Sequence, residues 1–136
     1  MVAYFYFEFS DTEKQSHDHL TRSLIMQLSA QSMSTLKALE ELFTHHQNGN
    51  QNPSTKGLVA TLKEIINSSQ QTYIILDALD ECKERKELLL LIKEMTEWNM
   101  GKLYILATSR KEKDIEESLE PLGHRPNLHS EWAGPS

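Results

Sequence analysis

Two short runs constrain this chain more than any other feature. Tyr73–Leu76 (YIIL) and Leu103–Ala107 (LYILA) are unbroken apolar stretches, β-branched or aromatic, and each stops abruptly at a polar cluster. They are too short for helices and read as buried strands. Between them Leu88, Leu91, Ile92, Met95 and Trp98 recur at helical spacing, and Asn99-Met100-Gly101 ends that helix with Gly101 suited to a left-handed cap. Strands alternating with helices predict an α/β domain built on a parallel sheet.

The rest of the chain extends the same pattern. Val2–Phe9 (VAYFYFEF) is a further strand, apolar on both faces as far as Glu8, which suits the interior of a covered sheet. Ser10-Asp11-Thr12-Glu13 is a capping box, and Leu20, Leu24, Ile25 and Leu28 give the helix after it one apolar face. Leu36, Leu39, Leu42 and Phe43 make a second helical stripe before the polar loop of residues 45–52. Pro53 after Asn52 opens a third helix carried by Leu58, Leu62, Ile65 and Ile66. Beyond the second apolar run, Ser109 and Glu112 form another capping box, followed by Ile115 and Leu119 as far as Pro121. Residues 1–122 form the expected domain; residues 123–136 show no periodicity and are expected to be disordered or loosely attached.

Composition excludes several classes. With 14 basic against 20 acidic residues the net charge is −6, and no basic stripe offers itself to phosphates, so nucleic acid is not an expected partner. No run approaches the roughly 18 apolar residues of a membrane span, and the start lacks a signal peptide's basic region and cleavage site. Cys82 is the single cysteine; it forms no internal disulfide, and its acidic neighbours favour a raised pKa and no nucleophilic role. A cytoplasmic location is the expectation. His17, His19, His45 and His46 are awkwardly spaced for a metal and are expected to be exposed.

In open parallel sheets ligands bind outside the carboxyl ends of the strands. Two such ends carry polar clusters here. Asp77-Ala78-Leu79-Asp80-Glu81 follows YIIL, and its crowded carboxylates stay ionised most easily beside a divalent cation or positive groups; oxygen ligands of this kind suit Mg²⁺. Thr108-Ser109-Arg110 follows LYILA, where an arginine can donate to phosphate oxygens.

Together these segments resemble a known family. Ile74-Ile75-Leu76-Asp77-Ala78-Leu79-Asp80-Glu81 is similar to the Walker B segment of NACHT-type NTPases of the STAND class, and Leu103–Arg110 resembles their sensor 1 strand ending in Thr-Ser-Arg. Val2–Asp11 resembles the aromatic strand before Walker B, and the likeness is greatest to nephrocystin-3-like N-terminal domains of fungal NLR-like proteins. The resemblance implies an ASCE-type P-loop NTPase sheet flanked by helices, with Asp77 holding Mg²⁺ through a water and Glu81, with Asp80, orienting or deprotonating the attacking water. It implies that Arg110 senses the γ-phosphate of ATP or GTP, and that nucleotide state switches oligomerisation and signalling.

One part of the pattern is missing. No glycine in the chain opens a Gly-x-x-x-x-Gly-Lys-Ser/Thr loop, so the backbone cradle and the phosphate-binding lysine of Walker A are absent from these residues. The chain therefore reads as an N-terminally truncated, partial domain of about three strands that lacks the P-loop strand. Tyr73–Leu76 must then pair directly with Leu103–Ala107 or leave bare edges that invite a partner strand. Hydrolysis by the chain alone is not expected, and tight binding of Mg²⁺ or nucleotide is not expected either. An interaction or decoy role is, through self-association or docking on complete NACHT proteins. The alternative is a small Mg²⁺-dependent phosphohydrolase with Asp77, Asp80 and Glu81 as metal ligands.

Overall fold

The computed structural model describes residues 1–8, 17–31, 33, 37, 40, 41, 44, 54–98, 101–123 and 126–133. Its elements follow in the order β1 (Val2–Tyr6), α1 (His17–Ser29), α2 (Thr55–Ser68), β2 (Thr72–Asp77), α3 (Arg85–Glu97), β3 (Leu103–Arg110), α4 (Lys113–Leu119) and β4 (Leu128–Ala133), with short 3-10 turns at Leu79–Glu81 and Glu120–Leu122. The four strands form one sheet in the order β1-β2-β3-β4, and every pairing is parallel. Val2 lies opposite Tyr73, Ile74 opposite Ile105, and Ile105 opposite Leu128. Of the two outcomes the sequence leaves open, direct pairing of the apolar runs or bare edges, β2 and β3 take the first.

The helical stripes fall where the spacing places them. Leu20, Leu24, Ile25 and Leu28 of α1, Leu58, Leu62, Ile65 and Ile66 of α2, and Leu88, Leu91, Ile92 and Met95 of α3 are all buried. They share one core with Ala3, Phe5 and Phe7 and with Ile74, Leu76, Leu103, Ile105 and Ala107 of the sheet. Removing each leucine or isoleucine from water contributes about 1.5–3 kcal/mol. The cap of α2 is Ser54, whose side chain accepts from the Gly57 N–H at 3.1 Å; Asn52 and Pro53 lie outside the described residues. So do the Ser10–Glu13 capping box and the Leu36, Leu39, Leu42 and Phe43 stripe, although Met33, Lys37, Glu40, Glu41 and Thr44 are helical. Gly101 takes the positive φ expected of it, 52°.

Two expectations change. The chain after Leu122 is not simply a loose tail, because Leu128–Ala133 adds a fourth strand to the sheet. Its sequence, LHSEWA, carries little pattern. Its attachment runs through backbone bonds, which any sequence can make, together with the buried Leu128 and with Trp132, partly buried against the core. β1, for its part, is an edge strand with one open face. Ala3 and Phe5 face the core, while Val2, Tyr4 and Tyr6 are exposed. On the same open face Tyr73 and Tyr104 stack with ring centroids 5.4 Å apart.

The outer edge of β1 is closed by side chains. Gln27 accepts from the Tyr4 N–H at 3.0 Å and donates to the Tyr4 carbonyl at 2.8 Å. Gln31 does the same for Val2, at 3.1 and 2.7 Å. Gln27 stands on α1 and Gln31 in the turn that follows it, four residues on, so their amides repeat at nearly the spacing of alternate strand residues.

Candidate functional site

A parallel sheet brings the carboxyl ends of its strands to one edge. Here that edge collects Tyr6, Asp77 and Arg110, the last residues of β1, β2 and β3. The chain leaves β2 through Ala78, which sits in the left-handed region at φ 64° and ψ 51°. That conformation costs an L-residue about 1–2 kcal/mol. It is held by the Ala78 N–H, which donates to Thr108 Oγ1 at 3.1 Å, and by Leu79, which is fully buried in the 3-10 turn that follows. Asp80 and Glu81 occupy that turn.

Asp77 is gripped from both neighbouring strands. Its Oδ1 accepts a hydrogen bond from the Thr108 hydroxyl of β3, and its Oδ2 accepts one from the Tyr4 hydroxyl of β1 at 2.7 Å. Each carboxylate oxygen keeps a further lone pair after accepting one bond. Hydrogen bonding to Asp77, with its charge, pushes the Tyr4 phenol above the usual tyrosine range. Next along the edge, the charge of Glu81 foremost, and then that of Asp77, raises Tyr6 as well. Glu81 thus faces the Tyr6 phenol.

Asp80 turns elsewhere. Its Oδ1 accepts from the backbone N–H of Arg110 at 3.0 Å and lies 3.4 Å from the Ser109 hydroxyl. Ser109 is therefore not a helix cap: it remains within β3 and donates to the Arg110 carbonyl at 2.8 Å, while the N-cap of α4 is Glu112, whose side chain makes no cap bond. The guanidinium of Arg110 belongs to an exposed residue, so the strand fixes its main chain and leaves its charge facing solvent.

The positive group that settles this acidic turn is Arg85, at the start of α3. It donates to the Asp80 carbonyl and to Glu112 Oε2, each at 2.5 Å, and reaches Asp114 Oδ1 at 3.2 Å. Burial opposes its charge, but Glu112 and Asp114 outweigh burial and raise its pKa. Arg85 turns inward as a brace, although it stands among mixed charges. Cys82 is buried and its thiol is pushed up to about 11, chiefly by desolvation, which leaves it inert at neutral pH.

The structure therefore joins the two polar clusters: Asp77 with Thr108, and Asp80 with Ser109 and Arg110. It does not gather Asp77, Asp80 and Glu81 around one point. Among the described residues no group of three or more His, Cys, Asp or Glu side chains is placed to hold a metal ion. One carboxylate flanked by hydroxyls fits Mg²⁺ in the mode where waters and phosphate oxygens supply most ligands, and not as a protein cage. Sequence reasoning missed Tyr4 and Arg85. Tyr4 looked like one more strand aromatic, and only the register that sets β1 beside β2 shows what its hydroxyl reaches.

Among the described residues no helix is long and apolar enough to cross a membrane. No curated protein and no solved structure matches the chain. The model of one family, nephrocystin 3, N-terminal, matches residues 1–110, which take in β1 through β3 and every residue of the Asp77 edge. The chain belongs to the nephrocystin 3 N-terminal family.

Proposed function

We propose that the Asp77 edge is the magnesium-side half of a nucleotide site of the NACHT type, as found in STAND-class P-loop NTPases. The observation that carries this reading is the convergence of Asp77 and Thr108, thirty-one positions apart in sequence, at the carboxyl edge of a parallel sheet. Family membership supports it. In this reading the β2 segment ending at Asp77 is a Walker B strand and β3 is a sensor 1 strand.

The residues then divide the work. Thr108 and Tyr4 hold the Asp77 carboxylate in one rotamer, so its remaining lone pairs point at a fixed place. Magnesium, when bound with a nucleotide, neutralises charge on the phosphate oxygens. Asp80 accepts from the Arg110 amide, and in this reading Glu81 is the carboxylate that orients or deprotonates water. Arg110, with its main chain tied to Asp80, presents its guanidinium to a terminal phosphate. The 136 residues contain no Walker A loop, so turnover is not a property of this chain by itself. Its role is that of an interaction partner, docking on complete proteins of the same type or associating with itself.

Manganese, a paramagnetic substitute for magnesium, tests the site directly. Added Mn²⁺ is expected to broaden the amide signals of Ala78 and Thr108, and Asp77→Asn is expected to abolish that broadening. Broadening that ignores Asp77→Asn sinks the assignment. A calorimetric titration with Mg·ATP is expected to give no saturable heat; saturable binding that Asp77→Ala removes would show a complete site and overturn the half-site reading.

A further inference from the structure

The two polar strand ends are joined by a closed ring of bonds. Arg110 ends β3, and its backbone N–H donates to Asp80 Oδ1 at 3.0 Å. The carbonyl of the same Asp80 accepts from Arg85 Nη2 at 2.5 Å. The other terminal nitrogen of that guanidinium, Nη1, donates to Glu112 Oε2 at 2.5 Å and to Asp114 Oδ1 at 3.2 Å. Glu112 stands two residues after Arg110, so the ring returns to where it began.

Each part of the ring has a physical reason. Leu79 and Cys82 before Arg85 and Leu88 after it are buried, which draws the start of α3 in against the core. The Arg85 side chain is accordingly only 25% exposed. An exposed ion pair contributes little, because water screens it and both side chains lose freedom. Arg85 differs in that one of its three partners is a main-chain carbonyl, held in a 3-10 turn that begins on the buried Leu79. A planar guanidinium carries its donors in a fixed fork. Holding two carboxylates with one nitrogen therefore fixes where the other nitrogen meets Asp80. Removing the guanidinium would leave Glu112 and Asp114 as like charges at the start of α4, repelling each other.

We infer that Arg85 is the positioning residue for Arg110. It grips the segments on both sides of that residue: Asp80, which accepts from the Arg110 amide, and Glu112, two residues further on. Arg110 thus leaves the sheet with its main chain held at two points, while its own guanidinium faces solvent. The purpose of holding Arg110, to meet a phosphate, rests on the function proposed above; the holding itself can be read without nucleotide or metal.

Amide exchange in the full chain, with no metal or nucleotide added, is the test. The Arg110 amide is compared with that of Thr72, which donates to the Lys102 carbonyl at 2.8 Å at the opposite end of the strands. Arg85→Gln is expected to raise the ratio of Arg110 to Thr72 exchange about tenfold, as loosening a bond to a charged acceptor implies, and to move the Arg110 amide proton upfield. Glu112→Gln with Asp114→Asn releases the other side of the fork. That pair is expected to move the ratio in the same direction, and to add nothing when combined with Arg85→Gln. An arginine with a merely structural role would speed both amides alike, so an unchanged ratio in Arg85→Gln overturns the inference. So does a carboxylate pair whose effect persists in full beside Arg85→Gln. If Arg85→Gln does not fold, Arg85→Lys, which keeps the charge and loses the fork, is read by the same ratio. The Mn²⁺ broadening described above tests the nucleotide reading separately. Its failure beside a raised ratio sinks that reading and leaves the positioning of Arg110 standing.

Discussion

The Tyr4 hydroxyl donates to Asp77 Oδ2 across 2.7 Å, joining the first strand of the sheet to the carboxylate at the end of the second. A phenol whose pKa is raised in the folded chain stabilises it below the ordinary tyrosine value and stops doing so as pH climbs past the raised value. Tyr4 and Tyr6 both titrate above the ordinary range. An ultraviolet titration should therefore show two late phenols. Asp77→Asn is expected to bring Tyr4 down toward the ordinary value, and Glu81→Gln to act chiefly on Tyr6. A Tyr4 titration unmoved by Asp77→Asn would contradict the bond.

Thr108 serves two groups with one oxygen, accepting from the Ala78 N–H and donating to Asp77. Thr108→Val keeps the shape of the side chain and strands both partners, so urea unfolding should show a loss of about 1–3 kcal/mol. Serine at this position retains the oxygen and should recover most of that loss.

Ala78 occupies a left-handed conformation that costs a residue with a Cβ about 1–2 kcal/mol. Ala78→Gly relieves it while loosening the unfolded chain by about 0.5–1 kcal/mol, so the expected outcome is no net loss and a gain of up to about 1 kcal/mol. Ala78→Val, β-branched, is expected to destabilise by more than glycine stabilises. A glycine variant with a clearly lower urea midpoint would show that the turn is not under strain.

Leu128 is 6% exposed and sits opposite Ile105. Leu128→Ala should cost about 2–3 kcal/mol if β4 is docked, near the low end for a core leucine because the strand lies at the sheet edge. An unchanged midpoint would return the last residues to the loose tail that their sequence suggests.

The parts of the fold that were legible in advance are those with a periodicity. The two apolar runs could be read as strands because they must be buried, and the leucine stripes could be read as helices because they need one dry face. β4 was not legible, since backbone pairing leaves no trace in side-chain pattern and the side chains that dock LHSEWA, Leu128 and Trp132, are too few and too far apart to show a strand's alternation. The site divides the same way. Asp77 and Thr108 each stand out at a strand end, and the sheet brings them together. Tyr4 and Arg85 do not stand out, since an aromatic in a strand and an arginine among glutamates are commonplace. What brings them to the site is register for Tyr4 and the inward turn of α3's first residue for Arg85.

The placement of the two glutamines also bears on the order in which the chain is made. β1 is made before its sheet partner β2, with α1 and α2 between them. At about 5–20 residues per second on the ribosome, β1 waits several seconds for that partner. Gln27 and Gln31 are synthesised well within that wait. The nascent chain thus has the means to satisfy one edge of β1 before the sheet exists to satisfy the other.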